Sequence, residues 1–168
     1  MAGRIINGRY ELLEELAEGG MGRVYRTLDR ELNKIVALKI IHEALSNNKS
    51  AIEMFKREAS VCLELTHPNI VRLYNLELEN NRLFLVMEYV DGPDLYEILR
   101  KKRRFELHEV IAIMRPLLEG LGAAHAEGVV HLDIKPENLI ISKEGILKIA
   151  DFGIAALYSV ENIEAAIM

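Results

Sequence analysis

His131-Leu132-Asp133-Ile134-Lys135-Pro136-Glu137-Asn138 puts an imidazole, two acids, a lysine and an amide between two apolar runs, Val129-Val130 and Leu139-Ile140-Ile141. A plain turn would use Gly and Asn at such a place, so these polar groups point to something bound. Asp151-Phe152-Gly153 repeats the pattern directly after Ile146-Leu147-Lys148-Ile149-Ala150: a carboxylate at a strand end, an aromatic ring to pack and a flexible glycine. Asp133, Asn138 and Asp151 offer hard oxygen ligands of the kind a small divalent cation takes while keeping phosphate oxygens and water in its shell. Between the apolar runs at 139–141 and 146–149, Ser142-Lys143-Glu144-Gly145 reads as a hairpin turn.

Working toward the N-terminus, Tyr10 to Leu16, Arg23 to Thr27 and Lys34 to Ile41 read as three antiparallel strands. In the third, period-two alternation puts Lys39 on one face with Ile35, Ala37 and Ile41. Ser50-Ala51-Ile52-Glu53 has the form of a capping box, and Ile52, Phe55, Ala59, Cys62 and Leu63 recur behind it at helical spacing. Glu58 lies on or beside that apolar stripe. A buried lone charge costs several kcal/mol, so Lys39 and Glu58 are expected to meet. Glu18-Gly19-Gly20-Met21-Gly22, between the first two strands, frees the backbone to approach a polyanion with its N–H groups forward.

Ile70–Leu78 and Arg82–Tyr89 read as two further strands about a turn at 79–81. Asp91-Gly92-Pro93-Asp94 is the strongest linker signal, with Asp94 placed to cap a helix through Leu99. It divides the chain into a sheet-rich lobe, 1–90, and a second lobe, 91–168. The periodicity from His108 to Glu127 predicts a long helix bent near Arg115, since Pro116 removes a backbone donor. Arg100 to Arg104 reads as a solvated helix end whose cations complement the dipole.

The composition agrees. A net charge of −5 over 168 residues argues against a dedicated nucleic-acid binder. The single cysteine, Cys62, forbids an internal disulfide and suits a reducing, cytoplasmic setting. No apolar stretch is long enough to span a bilayer, so no membrane association is expected of this segment.

The order of features is glycine loop, strand lysine, helix glutamate, His-x-Asp with a downstream Asn, then Asp-Phe-Gly. In that order, from about Tyr10 to about Ala156, the sequence resembles the Hanks-type protein serine/threonine kinases. Gly19-Gly20-Met21-Gly22-Arg23-Val24-Tyr25 and His67-Pro68-Asn69-Ile70-Val71 look most like the bacterial branch. The resemblance implies an α+β, bilobal fold: five antiparallel strands and one helix in the first lobe, a hinge at 88–90, and an incomplete, mainly helical second lobe. It implies ATP and Mg²⁺ as cofactors and a protein hydroxyl as acceptor. Asp133 would orient that hydroxyl, Lys135 would steady the transferred group, Asn138 and Asp151 would hold the metal, and Lys39, held by Glu58, would contact the phosphates. Leu16, Val24, Ala37, Met87, Val90 and Ile140 would wall the adenine pocket. Glu88 and Val90 would offer hinge backbone groups, Asp94 would reach the ribose, and Ala17 to Gly22 would cover the phosphates.

Three departures stand out. Ala17 replaces the first glycine of the loop, and Leu132 replaces the arginine that usually precedes the catalytic aspartate. After Asp151-Phe152-Gly153 the chain runs only to Met168, without Ala-Pro-Glu. The expectation is a chain that binds nucleotide, is weak or inactive on proteins, and forms a homo-oligomer through uncovered apolar surface. The competing readings are a nucleotide-binding regulatory module without catalysis and a minimal small-molecule kinase.

Overall fold

The computed structural model describes residues 3–20, 22–42, 49–80 and 82–152, without the side chains of residues 49–51, 54 and 58. The first strand, β1 (Ile5–Ile6), is joined to β2 (Tyr10–Gly19) through Asn7-Gly8. Both turn residues have positive φ, 51° and 67°, and Arg9 N donates to Ile6 O at 3.0 Å. The two left-handed residues close a tight turn of the kind Asn-Gly favours, and with Ile6 opposite Tyr10 the connection is the three residues Asn7, Gly8 and Arg9. The hairpin adds a strand to the five expected, since the strand pattern read from the sequence begins only at Tyr10.

β3 (Gly22–Asp29), β4 (Lys34–Ile41), β5 (Leu73–Glu79) and β6 (Arg82–Glu88) complete a six-stranded sheet in the order β1-β2-β3-β4-β6-β5, every pair antiparallel. Its core is a cluster of Ile6, Tyr10, Leu12, Tyr25, Val36, Leu38, Phe84 and Val86, all nearly solvent-free. Burying each of the larger side chains is worth roughly 1.5–3 kcal/mol. At one edge of the cluster Asp29 is buried and takes two bonds from Arg9, at 2.6 and 2.9 Å, and two backbone N–H groups of its own turn. The Arg9 guanidinium holds the Asp29 carboxyl below its ordinary range.

Helix α1 (Lys49–Glu64) buries Phe55, Ala59 and Cys62, as its periodicity predicts. Lys49 is already helical, so Ser50 is not its N-cap. In α2 (Leu95–Lys102), Asp94 caps as expected, accepting from Glu97 N at 2.7 Å, and Arg100, Lys101 and Lys102 sit in the last turn. α3 (Leu107–Ala126) runs uninterrupted through Pro116. It buries Leu117, Gly120 and Ala124 but leaves Leu107, Val110, Ile111, Met114 and Leu118 exposed.

β7 (Leu139–Ile141) and β8 (Leu147–Ile149) form the expected hairpin, with Ile141 opposite Leu147. Asn69 ties it from one side, donating through Nδ2 to Leu147 O at 2.9 Å and accepting from Ile149 N at 2.8 Å. Residues 91–93 tie it from the other, where Ile141 N donates to Pro93 O and Lys143 N to Asp91 O, each at 2.9 Å. A Cβ on Gly92 would lie 1.9 Å from Ile141 O, so only glycine allows that approach.

The chain partitions into two compact units, Met1–Arg57 with Leu73–Tyr89, and Glu58–Arg72 with Val90–Met168. The last crossing falls between Tyr89 and Val90. Residues 58–72, which the sequence alone puts with the sheet, group with the second unit. Among the described residues no helix is long and apolar enough to cross a membrane.

Candidate active site

In the sheet unit, cross-strand register places Ala17 opposite Val24, Val24 opposite Lys39, and Lys39 opposite Leu85. Side chains on directly opposed residues share a face, so these form one row across β2, β3, β4 and β6. Ala37 and Met87 form the next pair along. Lys39 is only 5% exposed, so the period-two reading that singled it out holds. The Glu58 side chain expected to meet it lies outside the described residues, as does Met21.

The glycines of the loop differ in what demands them. A Cβ on Gly22 would lie 2.0 Å from Ile40 O, so close strand packing requires this glycine. Gly19 and Gly20 would meet nothing within 4 Å. Packing among the described residues does not ask for glycine there. Ala17 is not among the residues with positive φ, so alanine fits without strain. Leu16 is exposed, and Glu18 pairs with Arg23 at 2.8 Å.

In the second unit the polar stretch closes on itself. Asn138, 6% exposed, turns its Nδ2 to both Asp133 O, at 2.8 Å, and Asp133 Oδ2, at 3.1 Å. Its side-chain Oδ1 accepts no hydrogen bond among the described residues. Lys135 Nζ lies 2.8 Å from Asp133 Oδ2. That bond holds the Asp133 carboxyl below its ordinary value and raises the Lys135 ammonium. The 3₁₀ turn Pro136–Asn138 brings the lysine and the amide to the same carboxylate, and Ala150 N donates to Asn138 O at 2.8 Å.

His131 is the residue whose part the sequence left unassigned. It is 1% exposed, accepts from Asp133 N at Nδ1 (3.2 Å) and donates from Nε2 to Ala150 O (2.7 Å). Its ring meets Phe152 edge-on, with centroids 4.7 Å apart. Burial pushes its pKa below the ordinary value of 6.5, so near neutrality it is uncharged, in the tautomer these bonds need. Leu132 and Asp151 flank this clamp with φ of 62° and 61°. For non-glycine residues that conformation costs roughly 1–2 kcal/mol, a strain typical of functional sites.

Asp94 and Ile140 form an isolated bridge, though Asp94 Oδ1 is already engaged as a helix cap. Glu88 ends β6 in the first unit and Val90 begins the second. Among the described residues no group of three or more His, Cys, Asp and Glu side chains could hold a metal ion.

Residues 10–166 match the model of the protein kinase domain. The chain belongs to the protein kinase domain family. It is 38% identical over 155 residues to a probable serine/threonine-protein kinase of Clostridium perfringens, spanning 92% of this chain and 23% of that protein. It is 38% identical over 163 residues to the serine/threonine-protein kinase PrkC of Bacillus subtilis, spanning 97% and 25%. A mutant of the Mycobacterium tuberculosis PknI kinase domain superposes with a TM-score of 0.82 at 28% identity, covering 93% of this chain and 64% of that one. The α+β protein kinase fold is thus shared. The chain spans about a quarter of the length of these two curated kinases.

Proposed function

We propose that this chain carries the ATP- and Mg²⁺-dependent chemistry of a protein serine/threonine kinase, moving the γ-phosphoryl group of ATP to a protein hydroxyl. The observation that carries the reading is the closed set Asp133, Lys135 and Asn138, one carboxylate held by an ammonium and an amide. A carboxylate with a lowered pKa is a weak base. Asp133 therefore orients the acceptor hydroxyl and takes its proton late, as phosphoryl transfer is already under way. Lys135 meets the charge on the transferred group.

Asn138, through its free carbonyl oxygen, and Asp151 are the residues that would hold Mg²⁺. The ion would supply charge neutralisation on the phosphate oxygens. Lys39 is the cation for the α- and β-phosphates, with Glu58 as its proposed partner. Ala17 to Gly22 would lie over the phosphates, with glycine at 19 and 20 letting the backbone approach them. Leu16, Val24, Ala37, Met87, Val90 and Ile140 supply apolar walls, Glu88 and Val90 the hinge groups, and Asp94 the ribose contact. The same reading takes residues 1–90 and 91–168 as two lobes and a cytoplasmic setting, which the lone buried Cys62 suits.

Incubation with radiolabelled ATP and a generic serine-rich protein, beside Asp133→Asn, tests this. Label on the substrate should fall about 100-fold or more in the variant. Undiminished label would remove Asp133 from the chemistry. Wild-type protein that binds ATP and transfers nothing would leave a nucleotide-binding module in place of an enzyme.

A further inference from the structure

On the sheet face opposite the Lys39 row, a cleft of about 270 Å³ is lined by Arg4, Arg23, Tyr25, Ile40, His42 and Arg82. Register assembles it. Arg23 stands opposite Ile40 across β3 and β4, Ile40 stands opposite Phe84 across β4 and β6, and Tyr25 follows Arg23 by one alternation. Three guanidinium groups and an imidazole line it and, among the described residues, no carboxylate does, in a chain whose net charge is −5. Like charges gathered in one cleft repel. Glu18 offsets Arg23 from outside the lining, at 2.8 Å, and both are well exposed. Arg4 makes no ion pair among the described residues. The Tyr25 hydroxyl donates to Glu15 at 2.9 Å, and Ile40 gives the cleft an apolar side.

Guanidinium forks match the oxygens of a phosphate group better than those of a monatomic anion, because two parallel N–H bonds meet two oxygens. We infer that this cleft binds a phosphate-class dianion, either free phosphate or the phosphomonoester of a phosphorylated side chain. The site adjoins the base of the glycine turn. His42 Nε2 donates to Gly19 O at 3.1 Å, and Arg23 directly follows Gly22. An anion that draws in His42 and Arg23 therefore moves the groups that hold Gly19 and Glu18. The inference is independent of nucleotide binding at Lys39, and its test uses no ATP.

The test is an NMR titration of the ¹⁵N-labelled chain with sodium phosphate and, separately, O-phosphoserine, against sodium chloride at equal ionic strength. Saturable shifts at Gly19, Gly22, Arg23, His42 and Arg82 are expected with the phosphate ligands and not with chloride. Arg4→Ala should weaken the binding about tenfold, and Arg82→Lys, which keeps the charge and loses the fork, should weaken it several-fold. Tighter binding of O-phosphoserine would assign the site to a phosphorylated side chain, and tighter binding of inorganic phosphate to the free ion. Shifts that grow linearly, match those with chloride, or persist unchanged in Arg4→Ala would overturn the inference. An unchanged thermal midpoint for Arg4→Ala separates lost binding from lost folding.

Discussion

Replacing His131 by Phe keeps an aromatic ring, slightly larger, and the edge contact with Phe152 while deleting both ring nitrogens, so the loss of two hydrogen bonds is its main effect. Ala150 O loses its donor at 2.7 Å and Asp133 N its acceptor at 3.2 Å. Leaving a buried polar group without its partner costs about 1–3 kcal/mol. Both groups are only partly buried, so water recovers some of that, and the expected loss is about 2 kcal/mol. Against a total stability on the order of 5–15 kcal/mol, urea denaturation should resolve it as a lower midpoint at unchanged slope. A loss below about 0.5 kcal/mol would mean the clamp contributes little.

The same pair of proteins carries a pH test whose sign follows from burial. Burial depresses the folded-state pKa of His131 below 6.5, so in that window the unfolded chain binds the extra proton. Stability from the neutral ring is fully present above pH 6.5 and is lost as pH falls through 6.5 toward the folded value. His131→Phe has no such loss. The stability gap between wild type and variant should therefore narrow from pH 7.5 to pH 5.5, while the other histidines cancel in the difference. A gap constant with pH would refute the assignment of a buried neutral imidazole.

Three further outcomes are expected. Lys39→Met should weaken ATP binding at least about tenfold by calorimetry and lower stability, since it leaves Glu58, the proposed partner of Lys39, without its counter-charge; equal affinity would count against the phosphate role. Ala17→Gly should change Mg·ATP affinity less than about twofold and lower stability by roughly 0.5–1 kcal/mol, because the residue sits unstrained in β2; a clear gain in affinity would show that its methyl group crowds the loop. The stripe Leu107, Val110, Ile111, Met114 and Leu118, with Leu118 60% exposed, should drive self-association seen by sedimentation at micromolar concentration and reversed by Ile111→Glu with Leu118→Glu; a wild-type monomer would end that idea.

What could be read from the chain divides by the distance over which the signal acts. Lys39 was legible because alternation is a nearest-neighbour property, and the register of β3, β4 and β6 only had to respect it. Asp133, Lys135 and Asn138 were legible because one short turn carries all three. The Asn7-Gly8 hairpin was equally local, and β1 shows that the signal was present and passed over. Gly22 and Gly92 are different. Each is glycine because a strand that is remote in sequence, at Ile40 or Ile141, passes within 3 Å of where a Cβ would be, and no pattern around either residue announces that. His131 lies between. Its type marked it as polar in an apolar setting, but its partners at Asp133 and Ala150 and its contact with Phe152 exist only once β8 is paired with β7 and tied to Asn69. The cleft of Arg4, Arg23, His42 and Arg82 is the extreme case. Three arginines and a histidine from separate parts of the chain converge because β1, β2, β3, β4 and β6 pair in one register, and each alone reads as an ordinary solvated side chain. A surface site made by sheet register therefore leaves no trace in the sequence, whereas a site made by one loop does. The cluster of Asp133, Lys135 and Asn138 could be foreseen, and the arginine cleft could only be found in the fold.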